Sequence, residues 1–216
     1  RKMQPIPDPP CSEAMDPDLA LAARLASDLD RAFPALVEGH QDRLYTIALR
    51  LLGDPRDAEE VAQDAFVRAY RAIAGYDADR IRALRLRAWL ASIVVNLSRN
   101  RRRRLDERAP PLQLEPLVEA GFDPATARPA TAPHERAVRR ETVRQLADAL
   151  LLLAPGPRAA VILRHVDGLS VAETAAALDR PEGTVKAQVS RGLAELRTHL
   201  HTTDLDRIPP RTELSA

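Results

Sequence analysis

A run of arginines at the end of an apolar segment is the densest group of chemically active side chains in the sequence. Five arginines and no acidic residue lie between Arg99 and Arg104, and Asn96 and Asn100 accompany this basic block. Guanidinium groups bind phosphates and stack on bases, and side-chain amides can hydrogen-bond base edges. The block therefore predicts a contact with nucleic acid, although a solvated helix end would be the better explanation of the arginines alone. Trp89, the single tryptophan, lies just upstream and serves either this contact or the core.

A second group of polar side chains lies in a predicted helix-turn-helix near the end of the chain. Ser170 and Glu173 have the spacing of a capping box, which marks the start of a short helix. A turn at 178–180 separates it from a longer helix that begins near Pro181. The second helix of such a motif can enter the major groove of DNA, and a helical hairpin with a solvated basic face is the alternative. The candidate DNA contacts on this helix are Thr184, Lys186, Gln188 and Arg191.

The segment 54–64 has the opposite charge, with five acidic residues against a single arginine. An acidic face of this kind is typical of any solvated helix and has little meaning alone. Beside a DNA-binding segment it becomes a candidate docking surface for a basic protein partner. The apolar residues of the same region recur at spacings of three and four, which predicts the buried side of an amphipathic helix. They are Ala58, Val61, Ala62, Ala65, Phe66, Ala69 and Ile73.

Catalytic and metal-binding patterns find no support in the sequence. Of the five histidines, only His199 and His201 lie close together in the sequence. No cysteine or carboxylate cluster accompanies this pair at metal-ligand spacing. There is no glycine-rich phosphate loop. Cys11 is the single cysteine, which excludes an internal disulfide and fits a reducing cytoplasm. No apolar run approaches the ~20 residues of a membrane span. We therefore expect a cytoplasmic protein that is not an enzyme, with no metal, cofactor, small-molecule substrate or membrane insertion.

The elements that must position these groups are predicted to be helices. Hydrophobic residues make up 45% of the chain but aromatic residues only 3%, so the cores must consist of Leu, Ala, Val and Ile. Helix-forming residues are abundant and no long segment alternates at the strand period. We expect an all-α protein of two small helical domains joined by a flexible Pro-rich linker, with the helix-turn-helix in the second domain. The predicted division is a tail at 1–17, a domain at 18–104, a linker at 105–134, a domain at 135–202 and a tail at 203–216.

Start and stop signals give approximate bounds for the helices. Gly53 is expected to end one helix, and Asp54 followed by Pro55 to cap the next. In the first domain the predicted helices cover 19–33, 34–52, 55–73 and 86–104, with a loop at 75–85. In the second domain they cover 135–153, a short segment up to 165, 171–177 and 181–200.

Three blocks of residues, taken together and in order, resemble the extracytoplasmic-function (ECF) class of bacterial RNA polymerase sigma factors. The first block is 53–66, the second is 87–90 with 96–97, and the third is 183–186 with 190–197. An ordered set of three blocks is much more specific than a lone helix-turn-helix.

The resemblance implies an alternative sigma factor that binds core RNA polymerase, directs it to specific promoters and helps to melt them. The first domain then binds the clamp helices of the largest subunit and captures the unpaired downstream promoter element. The second domain reads the duplex upstream element through the four residues of the recognition helix and touches the polymerase flap. The acidic linker threads toward the active-site and RNA-exit channels, and an anti-sigma factor holds the protein inactive. The residues implied for polymerase docking are Glu59, Glu60, Gln63 and Asp64, and those for the downstream element are Trp89, Asn96, Arg99, Asn100, Arg102 and Arg103.

Two positions depart from the family pattern. Family members often carry Asp where this chain has Asn100, and often Arg where it has Gln188. The first departure lies among the melted-strand contacts, and the second suggests a different upstream sequence preference. A stand-alone DNA-binding regulator is the main alternative function, but it leaves the acidic face and the basic block without a role. A nucleic-acid-processing enzyme is a more distant one.

Overall fold

The computed structural model describes residues 17–108 and 133–206. Cys11 and the rest of residues 1–16 in the predicted N-terminal tail, most of the predicted linker and the last ten residues lie outside the described residues. Every secondary-structure element within the two described ranges is a helix, which confirms the all-α prediction. The helices are α1 (Pro17–Ser27), α2 (Leu29–Leu52), α3 (Pro55–Ala74), α4 (Ala78–Arg82), α5 (Leu86–Arg108), α6 (Pro133–Leu152), α7 (Pro155–Val161), α8 (Val171–Leu178) and α9 (Glu182–Asp206), with a π-helical turn at Ile162–Val166.

The N-terminal domain is a bundle in which α3 packs against α2 and α5. All the apolar residues of the predicted α3 stripe are buried, which confirms the amphipathic pattern. Asp54 accepts hydrogen bonds from the backbone N–H groups of Arg56 and Asp57, and Pro55 takes the first helical position. Gly53 ends α2 with a φ of 85°, a left-handed conformation that glycine adopts without strain. These caps fix where α2 stops and where α3 starts.

Two features of this domain differ from the sequence-based expectation. The break between the first two helices falls at Asp28 and not at Pro34, because the Asp28 side chain accepts the Arg31 N–H and caps α2. Pro34 instead lies inside α2, where its missing N–H costs the helix a hydrogen bond without ending it. The predicted loop after α3 contains α4, whose first turn is capped by Asp77 through the Arg80 N–H.

Helix ends elsewhere also lie beyond their predicted positions. α5 continues to Arg108 and α9 to Asp206, since neither Gly nor Pro interrupts the chain past the predicted ends. α6 begins at Pro133, in the first helical position where the missing N–H of proline has no intrahelical partner to lose. Proline was therefore a poorer boundary marker than the caps.

The C-terminal domain contains the predicted helix-turn-helix. Both hydrogen bonds of the capping box are present, from the Ser170 N–H to the Glu173 carboxylate and from the Glu173 N–H to the Ser170 hydroxyl. Asp179 follows α8 with a φ of 51°, a left-handed conformation that Asp tolerates better than most residues. The predicted inward face of α9 packs into the core, fully or partly buried: Val185, Val189, Leu193 and Leu196.

The two domains pack against each other in this structure. α5 contacts α8, and α2 contacts α6 and the π-helical turn. Arg158, near the start of α7, lies beneath this contact and is 2% exposed. Its guanidinium donates to the carbonyl oxygens of Leu51 at 3.0 Å, Leu153 at 2.8 Å and Leu151. One charged side chain therefore satisfies carbonyls at the C-terminal ends of both α2 and α6.

We expect Arg158→Met to lower the free energy of unfolding by about 2–4 kcal/mol, because three carbonyl oxygens lose their donor. Arg158→Lys keeps the charge but lacks the planar fork, so it should recover only part of the loss. Urea unfolding followed by circular dichroism measures both effects. Wild-type stability in Arg158→Met would contradict the capping role.

We expect His40 to make the stability of the N-terminal domain depend on pH. Its imidazole is buried, with Nε2 3.5 Å from the Asp18 carboxylate. Burial lowers the pKa of His40, and the Asp18 charge opposes this only in part. The unfolded chain then binds the proton more tightly than the folded chain, so stability is full above a pH of about 6.5 and is lost as the pH falls toward the lowered folded pKa.

We expect His40→Gln to flatten the pH dependence of the urea midpoint between about pH 7.5 and pH 5.5, because the variant has no proton to take up there. Midpoints that decline in parallel in both proteins would show that another group is responsible.

Candidate nucleic-acid and protein-docking surfaces

The outward side of α3 forms the candidate acidic docking surface. Glu59, Glu60, Gln63 and Asp64 are all exposed, because the opposite stripe of the helix is buried. Val67 lies within this surface, one turn after Gln63 and Asp64, and is 48% exposed. An apolar side chain among acidic groups suits a partner that offers both basic and apolar contacts. Val67 was not predicted, and its one signal is that it interrupts the polar side of the helix.

Arg101 joins the acidic docking surface to the end of α5. Its Nε donates to Asp57 at 2.9 Å, its Nη2 donates to the same carboxylate oxygen, and its Nη1 lies 2.8 Å from Glu60. The hydrogen bonds to Asp57 raise the pKa of Arg101. Glu60 therefore has a partner within the chain. Nothing in the arginine run distinguishes Arg101 from its neighbours, since the contact depends on how two helices pack.

The predicted downstream contacts on α5 come together as a basic stripe. Asn96, Arg99 and Arg103 are exposed and recur at spacings of three and four, so they share one face of the helix. Asn100 and Arg102 flank this face and are half-buried. The other sides of α5 pack against α2, α3 and α8. The basic stripe is thus the side of α5 that remains open.

Trp89 lies at the start of the basic stripe, in the first turn of α5. The indole is half-buried against the core, and its centroid lies 6.3 Å from that of the Tyr76 ring. The Arg80 guanidinium lies 3.8 Å above the Tyr76 ring, an attractive cation–π geometry. Trp89 therefore serves the core and still presents part of its ring outside. Tyr76 and Arg80 were not predicted, because they belong to the segment expected to be a loop.

The recognition helix α9 does not present its four predicted residues equally. Lys186 and Arg191 are exposed, whereas Thr184 and Gln188 are half-buried at the edge of the helix. The Gln188 amide leans toward α7, with its nitrogen 3.0 Å from the place where a Cβ on Gly156 would lie. The exposed side of α9 also carries residues that were not predicted, among them Ala187, Ser190 and Arg197.

Both domains match known families. Residues 36–108 match Sigma-70 region 2, and residues 143–196 match Sigma-70, region 4. The chain is 37% identical over 176 residues to the RNA polymerase sigma-E factor of Streptomyces avermitilis, a match that covers 81% of this chain and 88% of that protein. It is 32% identical over 174 residues to the ECF RNA polymerase sigma factor SigW of Bacillus subtilis, covering 78% of this chain and 89% of that protein. The chain belongs to the ECF sigma factors.

A solved structure supports the same assignment. CnrH in complex with the cytosolic domain of CnrY is similar to this sigma factor with a TM-score of 0.62 and 29% identity, covering 87% of this chain and 99% of the other. The resemblance inferred from the three sequence blocks is therefore confirmed, as is the helical architecture. The acidic docking surface and the basic stripe both lie within the region 2 match, and most of α9 lies within the region 4 match.

Within residues 17–108 and 133–206, no helix of this sigma factor is long and apolar enough to cross a membrane. The same ranges contain no group of three or more His, Cys, Asp or Glu side chains placed to hold a metal ion.

The orientation of α9 predicts unequal roles for its polar residues. Arg191→Ala should lower the affinity of the polymerase-bound factor for promoter duplex about tenfold, because an exposed arginine can donate two hydrogen bonds to one guanine. Gln188→Ala should have a smaller effect, since that amide leans toward α7. Fluorescence anisotropy with a promoter selected from a random library measures both, and Arg24→Ala on α1 is the control. A larger loss in Gln188→Ala than in Arg191→Ala would refute this orientation.

Proposed function

We propose that this ECF sigma factor binds core RNA polymerase, directs it to specific promoters and helps to melt them. The observation that carries the proposal is the junction at Arg101, where the acidic docking surface and the basic stripe meet. A factor that binds polymerase through the acidic docking surface would thereby hold DNA beside the polymerase on the basic stripe. A stand-alone DNA reader would need neither surface.

The acidic docking surface is the proposed contact with the clamp helices of the largest polymerase subunit. Val67 is exposed one helical turn beyond Gln63 and Asp64, on the same outward side of α3 as Glu59 and Glu60. Acidic groups steer a basic partner toward the surface and fix its register, while the apolar side chain contributes affinity when it is buried. Glu60 can exchange its bond with Arg101 for one with the partner, which would leave Asp57 to hold Arg101.

The basic stripe is the proposed binding site for the unpaired downstream promoter element. Arg99, Arg102 and Arg103 supply phosphate contacts, and the amides of Asn96 and Asn100 can both donate to and accept from base edges. An Asn at position 100 does not repel the DNA backbone, unlike the Asp of many family members. Trp89 offers an aromatic face on which a base held outside the stack can lie.

The C-terminal domain is proposed to read the duplex upstream element through α9 and to contact the polymerase flap. Lys186 and Arg191 are exposed for this purpose, and Thr184 and Gln188 lie at the edge of the same face. The predicted path of the linker through the polymerase channels concerns residues 109–132, which lie outside the described residues.

We also propose that an anti-sigma factor holds this protein inactive in the cytoplasm. CnrH, which has a similar fold, is bound by the cytosolic domain of CnrY in its solved structure. This sigma factor is proposed not to be an enzyme and to require no metal, cofactor or small-molecule substrate, because the chemistry of transcription belongs to the polymerase. Its own contribution is binding energy directed at the promoter.

Asp64→Arg tests the docking assignment. We expect the affinity for core polymerase to fall at least about tenfold, because reversing one charge at the rim of an electrostatically matched interface introduces repulsion. Fluorescence anisotropy of the labelled factor titrated with core polymerase gives the dissociation constant.

Glu38→Arg is the matched control, since Glu38 is an exposed acid on α2 of the same domain. It should leave the affinity within about twofold of wild type. Unchanged core affinity in folded Asp64→Arg would refute the docking surface, and absence of any core binding by the wild-type protein would refute the function.

A further inference from the structure

The flank of α9 that faces α7 carries polar side chains beside the exposed recognition surface. Thr184, Gln188 and Glu195 are half-buried on this flank, and their spacings of four and seven place them on one side of the helix. The exposed outer face beside it includes Ala187 and Arg191. Gln188 therefore starts from the margin of the recognition surface, and the direction of its side chain decides whether its amide joins that surface.

Gly156, the second residue of α7, provides the place where the Gln188 amide lies. A Cβ on Gly156 would lie 3.0 Å from the side-chain nitrogen of Gln188, 3.5 Å from its amide carbon and 3.9 Å from its amide oxygen. Apart from the neighbouring residues of the chain, these three atoms are the nearest that such a Cβ would meet. The Gln188 amide is therefore the group that a side chain at position 156 would meet first.

The α7 side of this contact is rigid. Pro155 and Pro157 flank Gly156, and each proline ring fixes its own φ near about −65°. Pro157 is also buried. The backbone beneath the Gln188 amide therefore has little freedom to move away when a side chain is added to Gly156, and the flexible glutamine side chain must move instead.

A second glycine sets the distance between the two helices. Gly192 lies one turn after Gln188 on α9 and is buried. A Cβ on Gly192 would lie 2.7 Å from Cγ2 of Val161 and 3.3 Å from Cβ of Pro157, which is shorter than the ~3.5–4.0 Å separation of packed carbon atoms. α9 therefore crosses α7 at a distance that the missing side chain of Gly192 permits. This close crossing brings Gln188 within reach of Gly156.

A glutamine on a recognition helix is suited to read adenine. Its amide can accept a hydrogen bond from N6 and donate one to N7 of the same base in the major groove. The Gln188 amide lies against Gly156 instead, and it must leave this contact before it can make that pair. The base pair that faces position 188 is then not read by the amide.

We propose that Gly156 is a specificity-determining residue of upstream-element recognition, because the space beside it keeps the Gln188 amide away from the DNA. The factor then tolerates all four base pairs at the position that residue 188 faces. A side chain at position 156 would turn the amide outward and create a preference for adenine. The effect on recognition rests on the proposed function, whereas the contact between Gly156 and Gln188 does not.

Nuclear magnetic resonance tests the contact in the free full-length protein. The side-chain amide protons of Gln188, identified by their loss in Gln188→Ala, should show a nuclear Overhauser effect to the α protons of Gly156. Gly156→Leu should shift these amide resonances. Gly39→Ala on α2 should leave them unchanged, since a Cβ on Gly39 meets nothing within 4 Å. Absence of the Overhauser effect in the folded wild-type protein would overturn the contact.

Selection of promoter duplexes by the polymerase-bound factor tests the recognition, with a library randomised over the upstream element. At one position the wild type should select no base, whereas Gly156→Leu should select adenine about fivefold or more over the other bases, which is the discrimination of one bidentate pair. Gly156→Ala should give a smaller preference in the same direction, because its Cβ displaces the amide by only a few tenths of an ångström. The alanine variant also keeps the test valid if the leucine variant does not fold.

The double variants, in which Gln188→Ala is combined with either substitution of Gly156, separate the glutamine from its neighbour. They should lose the adenine preference, because the new preference belongs to the amide and not to the added side chain. Gly39→Ala is the matched control and should select the wild-type sequence. Circular dichroism shows which variants are folded.

The outcomes distinguish this proposal from the proposed function. A wild-type preference for adenine that Gln188→Ala abolishes would overturn the role of Gly156, since the amide would then already read the base. Unchanged selection in the folded Gly156 variants, or a new preference that survives in the double variants, would overturn it as well. A wild-type protein that shows the Overhauser effect but selects no upstream sequence would instead refute the proposed reading of the upstream element.

Discussion

The burial of the alanine-rich stripe of α3 is the constraint on which the rest of the N-terminal domain depends. Four alanines of this stripe let α2 and α5 approach closely, in a chain with almost no aromatic residues to fill a wider core. Once the stripe faces inward, Glu59, Glu60, Gln63 and Asp64 must face outward. The same packing brings Arg101 within reach of Asp57 and Glu60. One hydrophobic constraint therefore sets both the acidic docking surface and its distance from the basic stripe.

Local sequence signals predicted those helix ends and buried faces that depend on interactions between residues close together in the chain. Caps at Asp54 and Ser170 and the glycine at Gly53 were readable because each acts within a few residues of the chain. The inward faces of α3 and α9 were readable because a helix repeats every 3.6 residues. Pro34 misled the prediction because the capping carboxylate of Asp28, six residues earlier, decided where α2 begins. The hydrogen bond made by the Asp28 cap decided the helix boundary, whereas the hydrogen bond lost at Pro34 did not.

Contacts between distant residues could not be predicted in this way. Nothing near Arg158 in the sequence indicates that it is buried beneath two helix ends. Nothing near Gln188 indicates that its amide lies in the space left by the missing side chain of Gly156. Arg101 is one of five arginines in its run, and its ion pairs follow from the packing of α3 against α5. The three sequence blocks nevertheless identified the family, because a family pattern records the result of such packing without explaining it. The residue roles within the site depend on the packing itself.

The near balance of charge in this protein, 32 basic against 31 acidic residues, is informative in this light. A protein that must bind a polyanion could carry a large positive charge, but its arginines would then bind nucleic acid wherever they met it. Here Asp167 of one domain occupies Arg43 of the other, and Asp57 occupies Arg101. An arginine already paired with a carboxylate gains less from a random phosphate, since the existing pair must first be broken. Charge balance is thus expected to restrain non-specific binding, and on the proposed function docking and promoter contacts together would make the exchange of carboxylate for phosphate favourable. Specificity on this view depends as much on which arginines are occupied as on which ones are free.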